Sequence, residues 1–330
     1  MGDEGEEEVE EGGEEAAEPE VVIPPVPLSE EAMELSQVGK TIDGMSYAHF
    51  QLDCVSKNVG EIDLLENYSH LRHIDLSKNK VSDLGPLRQL HFIMKLNLAD
   101  NTVESLEPLL GLQHLLYLDL SGNQLAELPQ LTMPSLRRVN FARNRIASCS
   151  NISGHASLQV LDISDNQLED LAGVSDMPSL TTLNVARNKL QSIDGLQSVS
   201  ALGSLDLSGN LLDDMRGQFA ALAGLNKLDL SGNKISTALG LAFLRDLTGL
   251  RELTITENPL EAEDGMNVRL EVLILSKSAS TVNGEEVTEE ERESAREVHE
   301  KRVEEERLRL EEEARQAAQE AAGGEAEAEE

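Results

Sequence analysis

The sequence predicts an α/β solenoid: a parallel sheet along a concave face, short helical turns along a convex face, and an acidic tail at either end. Three observations carry that prediction. An asparagine recurs at Asn79, Asn101, Asn123, Asn144, Asn166, Asn188, Asn210, Asn233 and Asn258, at intervals of 22, 22, 21, 22, 22, 22, 23 and 25 residues. The same apolar pattern surrounds each one, as in Leu71-Arg-His-Ile74-Asp-Leu76-Ser-Lys-Asn79-Lys-Val81 and Leu115-Leu-Tyr-Leu118-Asp-Leu120-Ser-Gly-Asn123-Gln-Leu125. The charge of the 330-residue chain, −35 in all, lies mostly outside that array. Residues 1–36 hold fourteen acids and no base, and residues 285–330 hold nineteen acids and seven bases.

The elements follow in chain order. Residues 1–28 are expected to be a disordered acidic tail, since so charged a segment buries too little apolar surface to offset its chain entropy. Within it, Ile23-Pro-Pro-Val-Pro-Leu28 reads as extended. Ser29-Glu30-Glu31 reads as a helix start, a hydroxyl cap followed by acids. Residues 29–69 form the N-terminal cap and a partial repeat, with Met33, Leu35, Val38 and Ile42 covering the first coil and Leu52-x-Cys54 as a first strand. Residues 70–268 hold nine repeats. In each, a short strand turns two residues inward, Ile74 and Leu76 in the first copy, and two outward, Asp75 and Ser77. The column Asn has the donors and acceptor to satisfy backbone groups where the chain leaves the sheet. Val81, Leu84, Leu87 and Leu90 then recur at helix-like spacing, with Pro86 and Pro108 early in such turns, where a missing N–H is tolerated. Residues 269–292 are the C-terminal cap repeat, with Leu270–Leu275 as its strand. Residues 293–330 are a charged helix and acidic tail, solvated or coiled against a partner. Glu297/Lys301, Glu305/Arg309 and Glu311/Arg315 are i,i+4 pairs in the favoured order.

The repeat resembles the leucine-rich repeat, whose period is about 20–29 residues. The run Val282-Asn-Gly-Glu-Glu-Val287-Thr-Glu-Glu-Glu-Arg292 resembles the terminal cap of the 22-residue class of that family.

Several function classes are excluded. An acidic surface repels nucleic-acid phosphates and anionic membranes. No run approaches the roughly eighteen apolar residues of a membrane span, and residues 1–20 lack the pattern of a secretory leader. Two cysteines, Cys54 and Cys149, fit apolar slots of the repeat and suit a reducing compartment. Gly39-Lys40-Thr41 has Glu34 where a phosphate-binding loop needs glycine. His70 and His73 have no third ligand at metal-site spacing. No nucleophile elbow or ordered Ser/His/Asp set is present, so an enzyme is not expected, nor a cofactor, metal or small-molecule substrate. Arg138-Val-Asn-Phe141 matches a short phosphatase-docking motif, but Val139 and Phe141 fall on inward strand positions.

What remains is the concave face. Its column after the first inward residue reads Asp75, Asn97, Asp119, Asn140, Asp162, Asn184, Asp206, Asp229. Bases and an aromatic interrupt it: His73, Lys95, Tyr117 and Arg138 before it, Arg143 and Arg187 after. Two readings stay open, a groove for an acidic protein segment anchored on Tyr117 and Arg138, and a charge-balanced solvated face.

Outside the repeats, Pro27-Leu-Ser-Glu-Glu-Ala-Met33, Gly44-Met-Ser-Tyr-Ala-His49 and Tyr68-Ser-His-Leu-Arg72 resemble the N-terminal region of a family of leucine-rich-repeat proteins of the axonemal radial spoke. That resemblance implies a non-catalytic interaction scaffold of motile cilia and flagella. Its partners would be other spoke or axonemal subunits, its location the cytoskeleton of the axoneme, and its role the control of motility. The alternatives are a soluble regulatory subunit of a protein phosphatase and another leucine-rich-repeat adaptor.

Overall fold

The computed structural model describes residues 23–41, 44–215, 217–262 and 267–327. Residues 1–22 of the expected tail and Ile42 of the expected cap lie outside them. One sheet of thirteen strands runs the length of the molecule. Its body is parallel: β3 (Tyr47–Asp53), β5 (His73–Asp75), β6 (Lys95–Asn97), β7 (Tyr117–Asp119), β8 (Arg138–Asn140), β9 (Val160–Asp162), β10 (Thr182–Asn184), β11 (Ser204–Asp206), β12 (Lys227–Asp229), β13 (Glu252–Thr254) and β14 (Thr281–Val282). Each of β5 to β13 places its middle residue inward, from Ile74 and Leu96 to Leu228 and Leu253, all buried. Strand pairing is in register along the array, so equivalent positions form straight columns across the concave face.

The convex side is built of short 3-10 helices rather than α-helical turns, for example Gly85–Gln89 and Glu107–Leu109. A 22-residue rung leaves too few residues for two α-turns, and the tighter helix spans the gap. Pro86 and Pro108 sit at their starts as expected. The core is one continuous apolar column in which Cys54 and Cys149 are fully buried. Burial pushes both thiols above their usual range.

The Asn column is a hydrogen-bonded spine. Asn166 is typical: its Nδ2 donates to Phe141 O at 2.9 Å, Ile163 O at 3.1 Å and Ser164 O at 2.9 Å, while its Oδ1 accepts from Ile146 N at 2.9 Å. Each Asn therefore ties its own rung to the rung before. The residue preceding every column Asn, from Lys78 to Glu257, has a positive φ between 52° and 66°. That left-handed step turns the chain off the sheet.

The two ends depart from expectation. At the N-terminus, Ser29 precedes only a three-residue 3-10 turn, Glu30–Ala32, and makes no side-chain cap bond. The cap is a β-hairpin instead: β2 (Glu34–Lys40) pairs antiparallel with β3. Met33 is buried and Leu35 packs against the core, but Val38 is 61% exposed and covers nothing. A period-2 strand turns alternate residues outward, so a helical spacing of apolar residues does not describe it. The segment 23–28, expected within the disordered tail, is extended and attached. β1 (Val26–Pro27) pairs with β4 (Val59–Glu61), and Leu28 is buried.

At the C-terminus, the expected strand Leu270–Leu275 is a helix, α1 (Val268–Leu275), whose first turn is capped by Asn267 Oδ1 accepting from Leu270 N at 3.1 Å. A short apolar run fits helix and strand alike, and the cap decides. The last parallel strand is β14, which returns through Asn283 (φ 54°) and Gly284 (φ 80°) into β15 (Glu285–Glu286). Positive φ at both central residues is the turn that matches strand twist. Ser77, expected outward, is buried, with its Oγ donating to Asp75 Oδ1 at 2.6 Å.

Helix α2 (Glu289–Glu327) follows. Three arginines fasten its first half. Arg269 bonds Glu291 at 2.7 Å and the carbonyls of Val282 and Glu286, Arg292 donates to Ala279 O at 2.5 Å, and Arg302 grips Glu271 at 2.6 and 2.9 Å. Among the described residues none of the three expected pairs forms; on its surface Arg307 faces Glu304 and Glu311, and Arg309 faces Glu306 and Glu313. Each of these arginines has acids on both sides, so it chooses among several.

Candidate protein-interaction surface

The six residues singled out on the concave face separate into two groups. His73, Lys95, Tyr117 and Arg138 open β5, β6, β7 and β8 and are directly paired neighbours across four consecutive strands. Arg143 and Arg187 lie in the left-handed step instead and are already neutralised. Arg143 Nη1 reaches Asp100 Oδ1 at 3.0 Å, two rungs back. It crosses Gly122, where a Cβ would strike Asp100 Oδ1. The Arg187 guanidinium embraces Asp165, with Nη2 on Oδ2 at 2.6 Å, and holds that carboxyl below its usual range.

The first group keeps its charge available. Among the described residues neither Lys95 nor Arg138 makes an ion pair. Tyr117 lies along its strand, its hydroxyl donating to Asp119 Oδ2 at 3.0 Å. Burial first, then the Asp119 charge, raise its pKa to about 12, so the phenol stays protonated. Burial, then Lys95 and Arg72, lower that of His73. Together with Gln37, Gln51 and Asp53, the side chains of His73, Lys95 and Tyr117 line a hollow of ≈ 370 Å³ at the N-terminal end of the face; Arg138 lies outside it.

Beneath this row runs a ladder not evident from composition. Asn97 donates to Asp75 Oδ2 at 2.9 Å, Asn140 to Asp119 at 3.2 Å and Asn184 to Asp162 at 3.1 Å. Each column Asp also accepts from the backbone and hydroxyl of the Ser two residues on, as at Ser121 and Ser164. Asn97, Asn140 and Asn184 accept instead from an alanine N–H, at Ala99, Ala142 and Ala186. The signal is in the sequence: Asp-x-Ser alternates with Asn-x-Ala through six repeats. Two acids never stand side by side there, and their charge is damped by amide donors. The alternation ends at Asp206 and Asp229, which are adjacent. Val160, Thr182 and Ser204 replace the bases, and Lys227 is paired with Glu252 at 3.1 Å. The concave face is therefore polarised, with free cations over its N-terminal rungs and acids over its C-terminal ones.

The other motifs are inert. Val139 and Phe141 are buried and their strand is paired on both sides. His70 stacks on Phe92, with ring centroids 6.3 Å apart, and His73 sits on a different face. Among the described residues no cluster of His, Cys, Asp and Glu is arranged to hold a metal, and no helix is long and apolar enough to cross a membrane.

Sheet, spine and convex turns together make the protein a leucine-rich-repeat solenoid. Leucine-rich-repeat family models match residues 157–212 and 201–260, and residues 69–85 and 111–126. The chain is similar to leucine-rich repeat-containing protein 23 of Homo sapiens, 40% identical over 68 residues, which is 20% of each chain. It is similarly related to the protein of that name from Bos taurus, 39% identical over 66 residues, 19% of each. The match spans about a fifth of the length of these relatives. Among solved structures, a leucine-rich-repeat protein of Leptospira interrogans superposes with a TM-score of 0.56 at 25% identity, covering 61% of this chain and 52% of the other. The LRIM1/APL1C complex matches with a TM-score of 0.51 at 26% identity, covering 59% and 36%.

Proposed function

We propose that the protein is a non-catalytic interaction scaffold of the ciliary or flagellar axoneme, within a radial spoke, where it contributes to the control of motility. The observation that carries this reading is the row His73, Lys95, Tyr117 and Arg138. It is a contiguous tract with unpaired cations on a rigid sheet, in a chain of net charge −35. Rigid placement of an aromatic and an arginine is how interface anchors are built. Opposite charge steers and orients the encounter. The occupant would be an acidic segment of a neighbouring axonemal subunit. The similarity to leucine-rich repeat-containing protein 23 supports a repeat-built interaction scaffold, and the choice of compartment follows from the resemblance of the segments 27–33, 44–49 and 68–72 to the radial-spoke family. The alternative of a phosphatase-regulatory subunit is less well supported, because Tyr117 is the one aromatic that opens a strand from β5 to β13.

Fractionation tests the reading. In a ciliated cell expressing the tagged protein, detergent-stripped axonemes should retain it, and axonemes lacking spokes should not. A mainly detergent-soluble pool would overturn it.

A further inference from the structure

The eighth repeat is the longest between column asparagines, with 25 residues from Asn233 to Asn258 against 21 to 23 in the others. The extra length enters the convex element, a 3-10 helix over Ala238–Arg245, eight residues where Gly85–Gln89 has five and Glu107–Leu109 three. It carries Leu239 out to 68% exposure, the most exposed leucine among the described residues. Helix α1 packs against this element on one side and α2 on the other. Between the three lies a cleft of ≈ 830 Å³, lined by Leu239, Ala242, Ile274, Leu275 and Val303 among others. Val303, on α2, is 53% exposed. Apolar side chains from three helical elements thus converge on one open space.

The charges around it do not cancel. The acids of the lining are Glu271 and Glu306. Glu271 is held in both oxygens by Arg302, and Glu306 faces Arg309 at 3.9 Å. Arg245 and Lys277 also line the cleft, and among the described residues neither side chain has an acidic partner. In so acidic a protein, two unspent cations beside an apolar cleft are the opposite of what composition predicts.

We propose that this cleft receives one amphipathic helix of a partner protein, its apolar stripe bordered by Asp or Glu. A helix is the shape that seats between helical ridges. Apolar residues at i, i+3, i+4 and i+7 would rest on α1, and the flanking carboxylates would meet Arg245 and Lys277. A second copy's α2 fits poorly: of its exposed large apolar residues only Val303 and Leu310 share a face, and the positions between them on that face, Glu306 and Arg307, are charged. The surface is at the opposite end of the sheet from the basic concave tract, so either site can fail while the other stands.

The test uses the full chain and a fluorescent 18-residue helical peptide with leucines at that spacing bordered by glutamates. Anisotropy should show saturable binding that weakens at higher salt. Arg245→Glu with Lys277→Glu, and separately Leu239→Asp, should each weaken it at least tenfold, while Arg138→Glu should not. Arg245→Gln with Lys277→Gln, the milder pair, should still weaken it severalfold, and thermal melts of all variants should match the parent. The proposal is overturned if no saturable binding occurs, or if a lysine-bordered peptide binds as well. It is also overturned if light scattering shows a dimer that Leu239→Asp dissolves, which would make a second copy the occupant.

Discussion

Replacing Asn166 by alanine isolates what the spine contributes. Its four bonds do not count equally. Phe141 O also accepts from Asn144, Ile163 O from Asn188 and Ser164 O from Arg143 N, so each carbonyl keeps a partner when Asn166 is removed. Among the described residues the Ile146 N–H has only Asn166 Oδ1 as a partner, and both residues are buried. One orphaned buried donor costs about 1–3 kcal/mol. Three carbonyls reduced to one bond each add a smaller amount, so the expected loss is about 2–3 kcal/mol. Asn166→Asp should be worse than Asn166→Ala at neutral pH. It restores the acceptor for Ile146 but turns an anionic oxygen towards three carbonyls in a buried site. Urea unfolding followed by circular dichroism measures both. Rungs couple chiefly to their neighbours, so the midpoint should be compared with local hydrogen exchange at Ile146. An alanine variant as stable as the parent, or an aspartate variant more stable than the alanine one, would refute the spine as described.

Two further outcomes follow from the packing and the charges. Burial of Gly173 against the Cys149 carbonyl leaves no room for a Cβ, so Gly173→Ala should cost about 1–3 kcal/mol by overpacking; a melting temperature unchanged from the parent would contradict the close approach. Glu291 has its pKa drawn down to about 2 by Arg269 and the Thr288 N–H, against a usual 4.5. A carboxyl with a depressed folded pKa stabilises above its unfolded value and ceases to as pH falls. Docking of α2 should therefore weaken between pH 4.5 and 2, read as faster exchange in residues 289–302, and Glu291→Gln should remove that step while leaving the acid response of the rest of the chain.

The solenoid was legible because one residue type at one period has one structural use. Nine asparagines at near-constant spacing admit a single explanation, and the inward pattern of each strand follows from it. The ends were not, since a cap is met once and has no repeat to average over. Val38 is one of a few scattered apolar residues and Leu270 opens a short apolar run; the period of both is ambiguous, and hairpin pairing or an Asn267 cap settles them. At the concave face, charge type was readable but pairing was not. Arg143 and Arg138 look alike in sequence. Only the bare step at Gly122, which lets Arg143 reach Asp100, distinguishes a spent arginine from an available one.

That distinction selects the decisive variant. Lys95→Glu with Arg138→Glu reverses the unpaired cations and leaves Arg143 on Asp100, so the fold should melt unchanged. Expressed in a ciliated cell in place of the parent chain, this variant should be lost from detergent-stripped axonemes and recovered in the soluble fraction, whereas the parent chain is retained. Equal retention of the two would contradict the concave tract as the surface that holds the protein to its neighbours.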